Sequence, residues 1–558
     1  MVLLLVLNAF GVDADIIENA VGKEIDRAMT GLKFPGQPPP HYIAAHILAG
    51  EVAEVWATDG ALIFNTQRTI RSLRTEVRVG NTMLDSGNFD VAIGRTNGTY
   101  HWGLGHEETE LAIRKGLWIS LDKAYKGATE TYAAKLAARR GRDLKYTPDF
   151  SHTPSIIVPY VSAPPTGHDR LQARVMSITK HVADLHQLDL NEVAGQVFSG
   201  SMLVQDSANT RAWLPRNEVV IRAQIKAAAS DGTPLKNDRS WVAKNIDNLP
   251  PIDEMKAQIA DAANWVIELK NTPADTEYLG PVLFEPAAAA ELFRQLLQPQ
   301  ICGTPPFESA PDGANQDARP IPTARIGRRL LPSGWSVTDH PQGDPNLASY
   351  MTHDFEGVAS KSVELIKEGV LREVLMSRTP RPDRSSSTGH ARNTRSSRFE
   401  AMPSQLDVRT DTPKSWTKLQ RLALSRAKTA GLSHVLVVRR LSPPSLIETL
   451  EFSVTGDGPM AGLSTPTEVY KLYADGRKEP VRGLEFVGVD RRVLRDIIAA
   501  GRQSDPVEML DVPGSSSRYE TGWFDGLPVS WAVPAILIDE LELHSRSGGE
   551  PRVVTRPQ

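Results

Sequence analysis

The densest collection of acid and imidazole side chains in the chain is Asp339, His340, Asp344, His353, Asp354 and Glu356. Oxygen ligands at that density can hold a divalent cation, and a carboxylate beside a histidine can move a proton. The same residues alternate with Gly and Pro, as in "DHPQGDP". Asx turns use aspartate in that setting to satisfy the backbone. The stretch therefore reads as a metal or acid–base site, or as a turn-rich approach to a hairpin, and pocket geometry decides between them.

The remaining candidates are thinner. A zincin helix places two histidines one turn apart with a glutamate beside the first. The one His-Glu dipeptide is His106-Glu107, and Glu110 and Leu111 follow where the second histidine would stand. Glu107, Glu108 and Glu110 suit a helix start, where carboxylates meet the positive end of the dipole. His41 and His46, five apart, share neither a helix face nor a strand face. There is no Gly-x-Ser-x-Gly elbow and no phosphate-binding glycine loop. Cys302 is the sole cysteine, which excludes a disulfide framework and a cysteine-rich zinc site. Six arginines lie between 378 and 398. No aromatics are interleaved with them to stack bases, so the segment reads as a mobile, solvated loop, with phosphate or acidic peptide as its other use.

These residues need elements to position them, and 558 residues with 40% hydrophobic content can bury more than one core. A net charge of −4 argues against a nucleic-acid coat. Residues 1–14 are too short to span a membrane and read as a helix start or as a truncated signal segment, which leaves a cytoplasmic and an exported location both open. Strands are expected around Asp59-Gly60 and Asp231-Gly232. Helices are expected over the stretch from Glu110, over "RLQARVMSITKHVADL", over 251–269 and over "AAAAELFRQLL", with a further helix near 490–501. Region 301–345 is expected to be loop. The class is α+β: an N-terminal helix or signal segment over 1–30, a mixed α/β domain over 31–250, and a largely antiparallel β-rich domain over 251–558.

From about residue 280 the order of segments resembles the TldD/PmbA family, peptidase-like proteins also called modulators of DNA gyrase. "GPVLFEPAAAAELFRQLL" resembles the family's strand and metal-bearing helix. "HDFEGVASKSVELIKEGVLREVLMSRTP" is similar to its acid-Gly segment and hairpin, and "SSSTGHARNT", with His390, to its "STGN-x-R" loop. "VYKLYADGRKEPVRG" and "GLPVSWAVPAILIDELEL" resemble a later hairpin and the closing strand.

Active members carry His-Glu-x-x-x-His and a late cysteine as zinc ligands. The resemblance lays the first His on Arg294, the Glu on Gln295, the second His on Pro299 and the cysteine near Glu520. An arginine has no lone pair for a metal, and a proline has no ligand atom. The resemblance thus implies a PmbA-like protein without zinc of its own, the metal belonging to a family partner. It would be the non-catalytic subunit of a homo- or heterodimer with a TldD-like protein, acting in peptide or protein processing. His353, Asp354, Glu356 and His390 are then expected as cleft residues. The competing expectations are a hydrolase with a different metal site over 339–356, and an exported binding or architectural protein.

Overall fold

The computed structural model describes residues 13–90, 98–105, 109–140, 147–185, 187–309, 325–395, 398–442, 463–502, 505–511 and 526–545. Helices and mixed, mainly antiparallel sheets make up an α+β fold. Residues 1–12, His106, Glu107, Glu108 and Glu520 lie outside the described residues.

The first half is built on two very long strands, Pro40–Thr58 and Ala61–Asn81. They turn through Asp59 (φ 46°) and Gly60 (φ 79°), the left-handed pair that a two-residue hairpin turn needs. Leu190–Asp206 joins the other side of the first strand, followed by Arg211–Ala228 and Pro234–Ala243. Alternate residues of Pro40–Thr58 face one side of the sheet, and four helices cover that side. Ala14–Gly31 packs over Ile43, Ala45 and Ile47 and His168–Ala183 over Ala53, Val55 and Ala57, while Glu110–Arg139 lies against Ala61–Asn81 and Ile252–Leu269 against Arg211–Ala228 and Pro234–Ala243, in the same two cores. Ile252–Leu269, placed after the division at 250 by the sequence, therefore shares its core with the N-terminal sheet. Its apolar stripe shows which face is buried but not against which sheet.

The opposite face of this sheet meets the second half through Leu48, Val52, Phe198, Met202 and Phe355. Gly50 pairs with Gly200 across two central strands. A Cβ on Gly50 would stand 2.5 Å from Ser199 O and 3.0 Å from the Phe198 ring. The bare backbone leaves the space that this ring occupies.

The second half holds two sheets. One orders its main strands as Pro466–Tyr473, His434–Leu441, Glu277–Phe284 and Ile536–Ser545; the other as Val363–Lys367, Trp335–Asp339, Gln405–Thr410, Leu527–Ala532 and Val507–Asp511. A single apolar core joins them, with the helix Pro286–Leu296 enclosed between the two. The helix Trp416–Thr429 covers the outer face of the first sheet. The expected hairpin turns at Glu368 (φ 52°) and Gly369 (φ 73°).

Two local expectations change. Over 490–501 there is a short 3-10 turn, Arg491–Arg495, and a strand, Ile497–Ala500. The strand pairs with Ile536–Ser545, and β-branched Ile497 and Ile498 suit that pairing better than a helix. Within 301–345, short strands appear at Glu308–Ser309 and Trp335–Asp339.

Gly50→Val is expected to force the strand pair apart and lower stability by about 1–3 kcal/mol, the usual effect of overpacking. A denaturant titration compared with wild type measures it, and an unchanged midpoint would contradict this account of the paired glycines.

Candidate functional site

The helix Pro286–Leu296 begins on a proline whose missing N–H is one the first turn leaves unpaired anyway. Ala288, Ala289 and Ala290 let two sheets approach it closely, and all three are fully buried. Its last turn carries the polar groups. Arg294 Nε lies 3.1 Å from both Glu291 oxygens, and its Nη2 donates to Glu291 Oε1 at 2.6 Å. Its Nη1 donates to Asp511 Oδ1 at 2.8 Å. Gln295 donates to Glu291 Oε1 at 2.7 Å and to Ser464 Oγ at 2.8 Å, and accepts from Ser464 N at 2.9 Å. Gln298, just beyond, donates to Asp511 Oδ2.

Burial works against the charge on Arg294, but Glu291 and Asp511 outweigh it and hold the guanidinium ionised beyond its ordinary range. Pro299 sits in the next short helix, Gln298–Ile301, and offers no donor atom. The segment onto which the resemblance lays the zinc motif thus fits no cation, because a fixed positive charge already engages its two carboxylates. Glu291 and Asp511 were not singled out from the sequence. The three-residue spacing of Glu291 and Arg294 on a helix is the signal that was present.

Close by, His390 is fully buried, its Nδ1 2.9 Å from Thr388 Oγ1 and 3.0 Å from Thr388 O. Its Nε2 stands 3.6 Å from Asp339 Oδ2 and has no hydrogen-bond partner. Asp339 is occupied by the backbone N–H groups of Ser404 and Gln405, each at 2.9 Å. Burial lowers the His390 pKa while Asp339 opposes it. Arg392, also buried, donates to Pro403 O and Pro528 O, and burial together with Arg216 brings its pKa down to about 10. Cys302 is half-buried; burial and the carboxylates of Asp511, Glu400 and Asp339 push its thiol well up, so it is a poor nucleophile.

The acid–histidine collection seen in the sequence separates into different surroundings. Asp354 is fully buried and serves its own turn: Oδ1 accepts from Glu356 N and Val358 N, and Oδ2 from Ala391 N. Glu356 accepts from Arg378 N at 2.6 Å. His353 is half-buried and touches Thr352 Oγ1, His340 lies 3.4 Å from Ser362 Oγ, and Asp344 is exposed. Among the described residues, no three His, Cys, Asp or Glu side chains are arranged to hold a metal.

The Arg-rich segment is not the solvated loop its composition suggests. Arg378, Arg392 and Arg398 are buried, and the Arg378 guanidinium lies 4.0 Å from the Phe150 ring centroid, with that of Arg78 at 4.1 Å from the same ring. Arg378 also donates to Ser151 O and to Tyr42 Oη, which in turn donates to Asp206. Composition carries no information on such long-range partners, which here pin the segment between the two halves.

Residues 277–545 match the PmbA/TldA metallopeptidase C-terminal domain family. Three solved structures share the fold. A candidate modulator of a DNA gyrase from Thermotoga maritima is 14% identical, with a TM-score of 0.57 over 94% of this chain and 99% of its own. TldE from Thermococcus kodakarensis is 12% identical, at 0.58 over 94% and 100%. A candidate modulator of DNA gyrase from Bacteroides thetaiotaomicron is 11% identical, at 0.57 over 95% and 98%. No curated protein matches the sequence. The enclosed helix between two sheets and the matched C-terminal domain define a metallopeptidase-like scaffold. Residues 277–545 thus carry a PmbA/TldA-type metallopeptidase C-terminal domain, and the whole chain shares the fold of these three structures.

Arg294→Met would leave Glu291 and Asp511 as uncompensated buried charges, and a loss of about 3–5 kcal/mol is expected by chemical denaturation. A loss under ~1 kcal/mol, typical of an exposed pair, would refute the enclosed network. A second expectation concerns pH. Burial first, then the neighbouring Glu356 charge, raises the Asp354 pKa to about 8; burial raises that of Glu356 to about 7, against the pull of Arg378. Carboxyls raised above their unfolded values near 4 hold protons more tightly when folded. Their contribution is therefore full below about pH 4 and is lost as pH rises to about 8. Melting temperature should fall between pH 6 and pH 9, and Glu356→Gln should flatten that fall; an identical slope in both proteins would contradict the assignment.

Proposed function

We propose that the chain is a partner subunit without a zinc centre of its own in TldD/PmbA-type peptide or protein processing. The observation that carries this reading is the Arg294 guanidinium fixed on Glu291 and Asp511 in the helix that resembles the family's metal helix. A cation brought there would meet a permanent positive charge, an amide and a proline. Catalysis then belongs to a family member with an intact His-Glu-x-x-x-His, and this chain contributes scaffold and substrate contacts.

The scaffold suits an extended peptide, since strand edges can receive one by β-addition. The Arg-rich segment is part of the fixed scaffold in this reading, because Arg378 and Arg392 are held by backbone carbonyls of both halves. Among the described residues, no helix is long and apolar enough to cross a membrane.

The test is purification of the protein alone and together with a zinc-motif family member, followed by metal analysis and a peptide-cleavage assay. The expected result is no stoichiometric zinc and no cleavage by the chain alone, with co-purification and cleavage in the pair. Stoichiometric zinc, or cleavage by the lone chain that is lost in His353→Ala with folding intact, would overturn the reading in favour of a different hydrolytic site.

A further inference from the structure

The strand Glu277–Phe284 pairs with His434–Leu441 only over Val282–Phe284. Ahead of that, residues 277–280 keep to Ile536–Ser545 on their other side. A cavity of about 430 Å³ lies where the two parallel strands part, lined from the first by Glu277, Tyr278 and Leu279 and from the approach to the second by Leu432 and His434. Gly280 makes its floor possible, because a Cβ there would stand 2.4 Å from Leu432 Cδ1 and 3.1 Å from Tyr278 Oη. Tyr278 Oη donates to Pro281 O at 2.7 Å, which fixes the ring, and the His434 ring lies 5.7 Å from it between centroids. Leu279 is 56% exposed, so a large apolar side chain stands at the mouth.

The charges around this cavity are unequal. Asp275, Glu277 and Glu542 stand against Lys471, and Lys471 already donates to Asp275 Oδ1 at 2.5 Å. Burial and then Lys471 lower the His434 pKa, so its imidazole is uncharged at neutral pH. Glu542 meets His544 Nε2 at 2.8 Å, while the Glu277 carboxylate has no ionic partner among the described residues. In the strand register Glu277 opposes His544 and Leu279 opposes Glu542. Glu277 and Glu542 are therefore diagonal neighbours on one face, within reach of a single shared cation. Among the described residues no three His, Cys, Asp or Glu side chains are arranged to hold a metal, and the lysine is engaged, so neither a bare ion nor an anion suits the lining. Carboxylates over an apolar floor orient a ligand with a cationic head and a hydrocarbon arm. We infer that the cavity binds an alkylammonium group, with Glu277 and Glu542 on the nitrogen and Leu279, Leu432 and the rings of Tyr278 and His434 along the carbon chain. Such a group is carried by a free amine or by a lysine side chain. None of the lining residues belongs to the Arg294 network, so the site goes beyond the partner-subunit reading and stands or falls apart from it.

Calorimetric titration of the full chain with n-pentylammonium chloride at constant ionic strength tests the site. Saturable binding at one site is expected, with about millimolar strength for so small a ligand. Pentanoate, of the same length and opposite charge, should give none. Glu277→Gln should weaken binding about tenfold, the usual effect of losing a bond to a charged group. Its melting temperature should match wild type, since Glu277 is exposed. Lys471→Met should leave binding intact or tighten it. Nα-acetyl-lysine amide separates the two sources: binding equal to pentylammonium supports a lysine side chain, and weaker binding supports a free amine. No saturable binding of pentylammonium, equal binding by Glu277→Gln, or pentanoate binding that disappears in Lys471→Met would each overturn the assignment.

Discussion

A helix enclosed between two sheets can carry no charge that is not answered within reach. Pro286–Leu296 is in that position, and its three consecutive alanines are what allow the sheets so near. Once Arg294 stands in its last turn, Glu291 and Asp511 must be there to compensate it, because an isolated buried ion costs far more than folding can supply. That requirement ties the helix to the strand Val507–Asp511, and through Gln295 to the segment at Ser464. Here a guanidinium supplies the positive charge, and the scaffold is closed around it.

A similar logic joins the two halves of the molecule. Phe150 lies against the guanidinium groups of Arg78 and Arg378, one from the N-terminal sheet and one from the Arg-rich segment. Asp85, Glu76, Asp206 and Tyr42 complete the pairing. His46 belongs to the same face, where burial and Arg74 lower its pKa to about 3, and it bonds to Phe355 O at 2.9 Å. These are charges used for positioning. They orient the segment around Arg378 against the long-stranded sheet, and among the residues that look catalytic in the sequence Glu356, through Arg378 N, and His46, through Phe355 O, join this interface.

Much of the fold was legible before any tertiary contact was known. The turns at Asp59-Gly60 and Glu368-Gly369, the long helix from Glu110 and the strand–helix unit at 277–296 all follow from local preferences: positive φ at Gly and Asp or Glu, charge at helix starts, and apolar periodicity. The site was legible only in the negative. Arg294, Gln295 and Pro299 could be read as poor metal ligands from their chemistry alone, whereas Glu291, Asp511 and Ser464, which decide what that segment does instead, are up to 217 residues from Arg294 and could not.

The sequence by itself determined which local units exist and that no His-Glu-x-x-x-His occurs, because turns, helix caps and ligand atoms are properties of neighbouring residues. Only the tertiary structure decided that the acids and histidines of 339–356 part company, that Arg378, Arg392 and Arg398 are buried, and that Ile252–Leu269 sits on the N-terminal sheet. Each of those outcomes rests on a partner far away along the chain, and the free energy of burying a charge or an apolar stripe depends on what lies opposite it.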